Sequence, residues 1–300
     1  MKGIFSAAVL AAIEEDLGIR IIDHFDLIAG TSTGGLIAVG LGLGLRPREI
    51  VEFYLREGSA VFPIGFIATL RHWVRSKYSA KPLEGALKRC FGDKRFGDST
   101  KRLVIPSYNI GEDDVYIFRT PHVERLKRDY KLPAWKVARA TSAAPTFFSA
   151  FRGIDKTRLI DGGVWANNPS MVALVEASCV LDVPLEHLAI LSIGTSDTVS
   201  YRKATLDQGG IFAWATGNAA VDVIMRGQSI GAANQATFLL GKDRFERLSP
   251  KVAVNEFSLD GIHKADDLIG KAAHYSRVFT PTFERKFGAH QAAPYTPLYT

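Results

Sequence analysis

The segment GTSTGG at residues 30–35 places a serine among glycines and threonines. Gly30, Ser32 and Gly34 form a G-x-S-x-G pattern between an apolar stretch typical of a strand and a stretch typical of a helix. A serine on such a tight turn stands clear of the sheet, and the helix start favours negative charge that develops nearby. The pattern therefore predicts that Ser32 is a nucleophile.

Glycine-rich turns between a strand and a helix also bind phosphate groups. A second interpretation is therefore a non-catalytic protein that binds an anion or a nucleotide. Two nucleotide motifs fit poorly, however. A Walker A loop needs lysine after its last glycine, and Leu36 stands there. Gly40, Gly42 and Gly44 follow a predicted helix instead of opening one, unlike a dinucleotide fingerprint.

A serine hydroxyl is weakly acidic and needs a base before it can act as a nucleophile. In RLIDGGVWANNP at 158–169, Asp161 follows a short apolar strand and precedes Gly162 and Gly163, which allow a sharp turn. In an α/β sheet this placement brings Asp161 to the same side as Ser32. Asp161 is therefore a candidate base, with an ordinary turn aspartate as the alternative.

Histidine is the usual base for a serine nucleophile, but the early histidines are poorly placed for this role. His24 lies at the far end of the predicted strand that leads to Ser32, ~20 Å away, and His187 precedes its own strand. The late histidines lie in polar segments without a motif: His263, His274 and His290. A Ser-His-Asp α/β-hydrolase that uses one of them stays open as an alternative.

The composition is that of a globular protein with a large core, since 47% of the 300 residues are hydrophobic and 23% are charged. Fibrous and repeat architectures are excluded because no repeat or low-complexity tract is present. Cys90 and Cys179 are too few for a disulfide framework, and no two histidines have the spacing of metal ligands on a helix. We expect no metal, no cofactor and a cytoplasmic location.

The net charge of +6 is concentrated at residues 71–95, which contain eight basic and two acidic residues. Phe62, Phe66, Trp73 and Tyr78 interleave with this charge. Each basic residue near an anionic membrane contributes about 1 kcal/mol to binding, and aromatic rings suit the membrane interface. One hypothesis is peripheral association with an anionic lipid surface. The alternative is a solvated basic face whose aromatic side chains lie in the core.

Short apolar runs alternate with longer helical patterns, which predicts an α/β fold with a mostly parallel sheet flanked by helices. The predicted strands span 24–30, 102–110, 114–120, 158–163 and 188–195, and the predicted helices 4–16, 33–42, 47–58, 81–90, 134–143 and 169–181. The first helix is expected to be amphipathic, not a signal peptide, and we expect no transmembrane segment. We expect one domain over residues 1–300, with a mainly helical part at 200–300.

Several segments together resemble the patatin-like phospholipases. They are GTSTGG with Ser32, the Asp161-Gly162-Gly163 sequence followed by Asn-Asn-Pro, ATSAAPTFF at 140–148 and SIGT at 192–195. The resemblance extends over about two hundred residues in the family's order. It implies a patatin-like three-layer fold and a Ser-Asp dyad without histidine, in which Ser32 attacks an ester of a phospholipid or other lipid. It also implies an acyl-enzyme and no metal.

The family begins with a strand and a D-G-G-G-x-[RK]-G loop whose amides form the oxyanion hole. This chain opens at Met1, and only Lys2 and Gly3 match the end of that loop. The expected oxyanion and elbow residues are Lys2, Gly3, Gly30, Thr33 and Gly34. Because losing one oxyanion donor costs ~10²–10³ in rate, we expect roughly ten to twenty further residues before Met1 in the active protein.

The chain is also similar in size and opening motifs to compact bacterial patatin-like proteins. These include antiviral effectors that cyclic dinucleotides switch on. The resemblance therefore implies a phospholipid or membrane-surface lipid as substrate and a cyclic dinucleotide as activator. A homodimer is a further expectation.

Overall fold

Helices and short strands alternate along most of the chain. The computed structural model describes residues 3–62, 77–195, 197–198, 206–207, 209–210, 214, 219–252 and 265–300. The helices are α1 (Gly3–Leu17), α2 (Thr33–Gly42), α3 (Pro47–Val61), α4 (Ala80–Phe91), α5 (Ala134–Thr141), α6 (Gly163–Ala166), α7 (Ser170–Val175), α8 (Ala219–Leu240) and α9 (Ala265–Phe283). The strands are β1 (Leu27–Ala29), β2 (Arg102–Asn109), β3 (Asp114–Arg119), β4 (Leu159–Asp161), β5 (Ile190–Ile193), β6 (Asp197–Thr198), β7 (Phe245–Leu248) and β8 (Lys251–Val252).

The predicted α/β class is confirmed, and the predicted elements correspond to observed ones within a few residues, except that α7 ends at Val175 and a π-helical turn at Glu176–Val180 completes the helix predicted at 169–181. The pairing is less parallel than expected. β1 pairs with β2, β5 with β7 and β6 with β8 in parallel, but β3 and β4 pair with β2 antiparallel. The short turn between β2 and β3 explains one of these reversals, because Asp113 adopts a left-handed φ of 54° and the chain folds back as a hairpin.

Strand β2 organises the site because two short strands share one of its edges. Val104 of β2 pairs with Ala29 of β1, and Ser107 of β2 pairs with Asp161 of β4, while β3 occupies the opposite edge. Since β1 runs parallel to β2 and β4 runs antiparallel, the carboxyl ends of β1 and β4 approach each other head-on. Sharing the edge also explains why β1 and β4 are shorter than the predicted strands.

Helix α1 is buried around most of its circumference, so the prediction of an amphipathic helix is wrong. Its side chains from Ile4 to Ala11 are all buried, and α3 and α9 pack against it. The alanines of this helix let neighbouring helices approach closely from several directions. Glu14 is also buried, and its carboxylate accepts a hydrogen bond from the Ile21 amide at 2.9 Å.

The aromatic residues near the basic segment belong to the core where the structure describes them. Tyr78 is buried and packs edge-on against Phe62, with ring centroids 5.4 Å apart. Phe66 and Trp73 lie outside the described residues. No helix in the described ranges combines the length and the apolar character that crossing a membrane requires.

Candidate active site

Ser32 occupies a strained turn between β1 and α2. Its backbone has φ 56° and ψ −123°, a conformation that costs a residue with a side chain about 1–3 kcal/mol. Such strain is characteristic of a nucleophile elbow, in which the turn lifts the serine hydroxyl clear of the sheet. The predicted strand-turn-helix context of Ser32 is therefore present in the fold.

Two glycines let the backbone of the elbow close on itself. A Cβ atom on Gly30 would overlap the Gly34 carbonyl oxygen and lie 2.8 Å from the Gly35 nitrogen. A Cβ atom on Gly35 would lie 2.7 Å from Cγ2 of Thr141. Gly34, by contrast, has open space where a side chain would stand. The steric requirement for glycine thus lies at Gly30 and Gly35, although the motif pointed to Gly30 and Gly34.

Thr141, at the end of α5, holds the elbow in place, and no motif in the sequence assigns a role to this residue. The Ser32 amide donates to Thr141 Oγ1 at 3.0 Å, and that hydroxyl donates to the Pro106 carbonyl of β2 at 2.6 Å. Ser142 Oγ donates to the Ser32 carbonyl at 3.3 Å. Both residues belong to the ATSAAPTFF segment, so the family resemblance was the only signal that could have found them.

Asp161 ends β4 and points its carboxylate at Ser32. The carboxylate accepts a hydrogen bond from the Gly163 amide at 2.7 Å, and the Ser32 hydroxyl lies close enough to it to lower its pKa. A Cβ atom on Gly162 would overlap the Pro106 carbonyl oxygen, so glycine is required for the chain to turn against β2. The structure therefore brings Ser32 and Asp161 together in one cavity, and Gly162 and Gly163 form the turn that follows Asp161.

Asp161 is an aspartate with unusual proton affinity. Burial raises the pKa of its carboxyl from 3.8 to about 6, and the nearby Ser32 hydroxyl and the Gly163 amide offset part of that effect. A base works best when its pKa lies near the operating pH. At neutral pH the carboxylate is therefore mostly ionised but binds a proton more readily than an exposed aspartate.

The pair lies in a cavity of about 390 Å³ with a mainly apolar wall. This volume and lining are typical of sites that bind small apolar ligands. The apolar lining includes Leu36, Ile37, Leu83, Phe147, Phe148 and Met225. An acyl chain could pack against these side chains while its ester reaches Ser32.

The structure describes all of the residues expected to form the oxyanion hole and the elbow except Lys2. Gly3, the first residue of α1, packs directly against Thr33, since a Cβ atom on Gly3 would lie 2.8 Å from Cβ of Thr33. Lys2 lies outside the described residues. The Gly34 amide donates to the Thr31 carbonyl at 2.9 Å, within the elbow itself. The start of α1 and the elbow are therefore neighbours, as the family order implies.

None of the histidines in the described part of the chain lines this cavity. Among the late histidines, His290 pairs with Asp26 at 2.7 Å, and His274 is exposed on α9. His263 and His72 lie outside the described residues. Within the described ranges, no group of His, Cys, Asp and Glu side chains has the arrangement of a metal site.

The raised pKa of Asp161 predicts an effect on stability that is separate from activity. A folded-state pKa above the unfolded value of 3.8 means that protonation stabilises the fold; this contribution is present below about pH 4 and is lost as the pH rises through about 6. Asp161→Asn carries no charge at this position, so its unfolding free energy lacks this pH dependence. Relative to the wild type, the variant should therefore be more stable at pH 8 than at pH 4, by up to ~3 kcal/mol.

Urea denaturation at both pH values measures this difference. Asp243→Asn serves as a control because it removes an exposed carboxylate. A difference between Asp161→Asn and the wild type that does not change with pH would contradict the raised pKa.

Comparisons with known proteins show which sequences this chain resembles. The chain is 34% identical over 209 residues to the cGAMP-activated phospholipase of Escherichia coli (strain TW11681), an alignment that covers 65% of this chain and 59% of the relative. It is 29% identical over 303 residues to the cGAMP-activated phospholipase of Pseudomonas aeruginosa (strain BWHPSA011 / Pa011), covering 97% and 90%. Patatin-like protein 1 of Oryza sativa subsp. indica is 33% identical over 254 residues, covering 71% and 61%.

The alignment to the Escherichia coli protein thus spans less than two thirds of that protein's length. The family model described as Patatin-like phospholipase matches residues 1–174, which is more than half of the chain. The matched region contains Ser32, Thr141 and Asp161 together with the strands that bring them to one cavity. On this match, the chain belongs to the patatin-like phospholipase family.

Proposed function

We propose that this protein hydrolyses acyl esters of phospholipids, with Ser32 as nucleophile and Asp161 as general base. The observation that carries the proposal is the approach of the Ser32 hydroxyl to the buried Asp161 carboxylate in an apolar cavity. The family match and the names of the relatives support phospholipase chemistry. The alternative Ser-His-Asp mechanism lacks a histidine at this cavity among the described residues.

The reaction proceeds through two proton-transfer cycles at Asp161. In the first, Oγ of Ser32 attacks the ester carbonyl while its proton passes to the Asp161 carboxylate. The tetrahedral intermediate expels the lysophospholipid alcohol, which takes that proton, and the acyl group remains on Ser32. In the second, Asp161 accepts a proton from water, the resulting nucleophile attacks the acyl-enzyme, and fatty acid leaves as Ser32 regains its proton.

The developing oxyanion needs hydrogen-bond donors beside Ser32. We assign the Thr33 amide to this role because it opens α2 directly after the nucleophile, where the helix dipole favours negative charge. Gly3, the first residue of α1, packs against Thr33, so the start of α1 lies beside this amide. Lys2 and Gly3 therefore stay candidates for further donors.

A serine-directed probe together with a lipid assay tests this function. A fluorophosphonate should label Ser32 covalently, as peptide mass spectrometry would show, and phospholipid vesicles should release fatty acid. The rate should rise with pH through about 6, because Asp161 must be ionised to accept the proton. An unlabelled Ser32 and intact lipids would instead favour the non-catalytic anion-binding interpretation.

The same assay tests activation and membrane association. Two relatives are named cGAMP-activated phospholipases, and we propose that a cyclic dinucleotide also activates this chain. The exposed Lys81, Lys88 and Arg95 would support peripheral binding to anionic lipid. Hydrolysis should therefore increase when cGAMP is added and when anionic vesicles replace neutral ones at low salt. An unchanged rate in either comparison would remove that part of the proposal.

A further inference from the structure

Strand β1 is paired with another strand along one edge only. The Gly30 amide, directly after β1, donates to the Val104 carbonyl of β2 at 3.2 Å, so by alternation Ile28 also faces β2. The backbone amides and carbonyls of Leu27 and Ala29 therefore point toward the opposite edge. Within the described ranges, no strand pairs with that edge.

Strand β5 has a free edge of the same kind. The Ile190 amide donates to the Arg244 carbonyl at 2.7 Å, and the Gly194 amide donates to the end of β7 at 2.8 Å. The backbone amides and carbonyls of Leu191 and Ile193 therefore point away from β7. Among the described residues, β7 is the only strand that pairs with β5.

The two free edges line the same space. The catalytic cavity and a second cavity of about 600 Å³ have lining residues in common. These shared residues include the four whose backbone groups lack a partner strand: Leu27, Ala29, Leu191 and Ile193. The space between β1 and β5 that these four residues border is termed the slot.

Helices cover the slot from different sides. Helix α7 packs against both β1 and β5, and its Ala173 and Leu174 line the second cavity. Leu10 of α1 and Leu36 of α2 line the catalytic cavity. These are the surroundings of a buried parallel strand, which is apolar on both faces. All three residues of β1 are nevertheless only partly buried.

The start of α1 indicates which segment would reach the slot. Gly3 packs against Thr33, shortly after β1. Ser6 Oγ donates to the carbonyl of Gly194, directly after β5, at 3.3 Å. Helix α1 thus begins at the carboxyl ends of both strands, and its other end leads back to the start of β1. This is the placement of a crossover helix between two parallel strands, so a strand that enters α1 would lie beside β1.

We propose that the slot is a strand position and that the segment directly before α1 fills it. The occupant would be an extended run of about five apolar residues, parallel to β1 and paired with both free edges. Such a strand and a short turn fit within the roughly ten to twenty residues that we expect before Met1. The strand would end beside Thr33. This inference does not depend on the proposed hydrolysis.

Hydrogen exchange followed by NMR tests the slot in the 300-residue chain. The four amides that point into the slot should exchange at least ~100-fold faster than the amides of Ile28 and Ser192, because the latter face paired strands. Slow exchange at the four slot amides would mean that they already have hydrogen-bond partners, and it would overturn the proposal.

An extended chain tests the occupant. The sequence Val-Ile-Val-Leu-Val-Gly-Ser-Gly, joined ahead of Met1, should slow exchange at the four slot amides by about tenfold or more. It should also raise the thermal unfolding midpoint by at least about 3 °C. The matched control carries proline at the second and fourth positions of the same sequence. Because proline cannot donate to a ladder, this control should change neither quantity.

Two results would overturn the assignment. Equal effects of the two added sequences would show that the slot accepts an apolar chain without strand pairing, and no effect of either would show that the slot is not a strand position. If the extended chain does not fold, a fluorescent peptide, Lys-Val-Ile-Val-Leu-Val-Lys, is added to the 300-residue chain instead. Fluorescence anisotropy should then show binding at least about tenfold tighter than that of the matching proline peptide.

These measurements separate the slot from the proposed function. Hydrogen exchange, thermal unfolding and peptide binding do not require turnover. A chain without phospholipase activity could therefore still confirm the strand position, and a fully active chain could still refute it.

Discussion

Replacement of Ser32 by alanine is expected to lower kcat for phospholipid hydrolysis by about 10⁴-fold or more, because the variant has no nucleophile. Asp161→Asn should cause a similar loss, since an amide cannot accept the hydroxyl proton. The double variant should be little worse than either single one, because a nucleophile and its base act as one unit. Release of fatty acid from phospholipid vesicles measures all three.

Matched substitutions outside the cavity separate chemistry from folding. Ser276→Ala removes a buried serine of α9, and Asp243→Asn removes an exposed carboxylate. Both should keep wild-type turnover, and all variants should show cooperative thermal unfolding. Turnover close to that of the wild type in Ser32→Ala or Asp161→Asn would rule out the dyad. Losses that multiply in the double variant would mean that the two residues act separately.

The members of this pair and their common side of the sheet could be predicted from the sequence, but the strand pairing that brings them together could not. G-x-S-x-G and the apolar-Asp-Gly-Gly sequence each indicate a strand end followed by a turn. Neither pattern shows that β1 and β4 share an edge of β2 and run toward each other. That arrangement depends on pairing with residues 102–109, which lie more than fifty positions from both Ser32 and Asp161.

The supporting residues were harder to predict for the same reason. Thr141 contacts Ser32 and Pro106, and Ser142 contacts Ser32. These contacts join segments far apart in sequence, and a threonine or a serine alone carries no local signal. The prediction that α1 is amphipathic was wrong because the sequence pattern shows where the apolar residues of a helix lie but not how many other elements pack around that helix. In the fold, α3 and α9 cover faces that a surface helix would expose.

The tight elbow predicts a second large effect, from Gly30→Ala. The added methyl group would meet backbone atoms of Gly34 and Gly35, which belong to the first turn of α2 and cannot rotate away as a flexible side chain could. The turn would have to open, at a cost of about 3 kcal/mol in unfolding free energy. Because Ser32 lies inside this turn, its hydroxyl would also move relative to Asp161, and displacements of about 1 Å cost ~10²-fold in rate.

Gly34→Ala provides the control for this argument because it makes the same chemical change four residues later. Its Cβ atom would enter open space, so the variant should unfold at the same urea concentration as the wild type or slightly above it. Comparable destabilisation by both substitutions would show that backbone flexibility, not the close approach at Gly30, requires glycine here. A destabilised Gly30→Ala beside an unaffected Gly34→Ala would instead identify the contact between the end of β1 and the start of α2 as the interaction that holds Ser32 in its strained conformation.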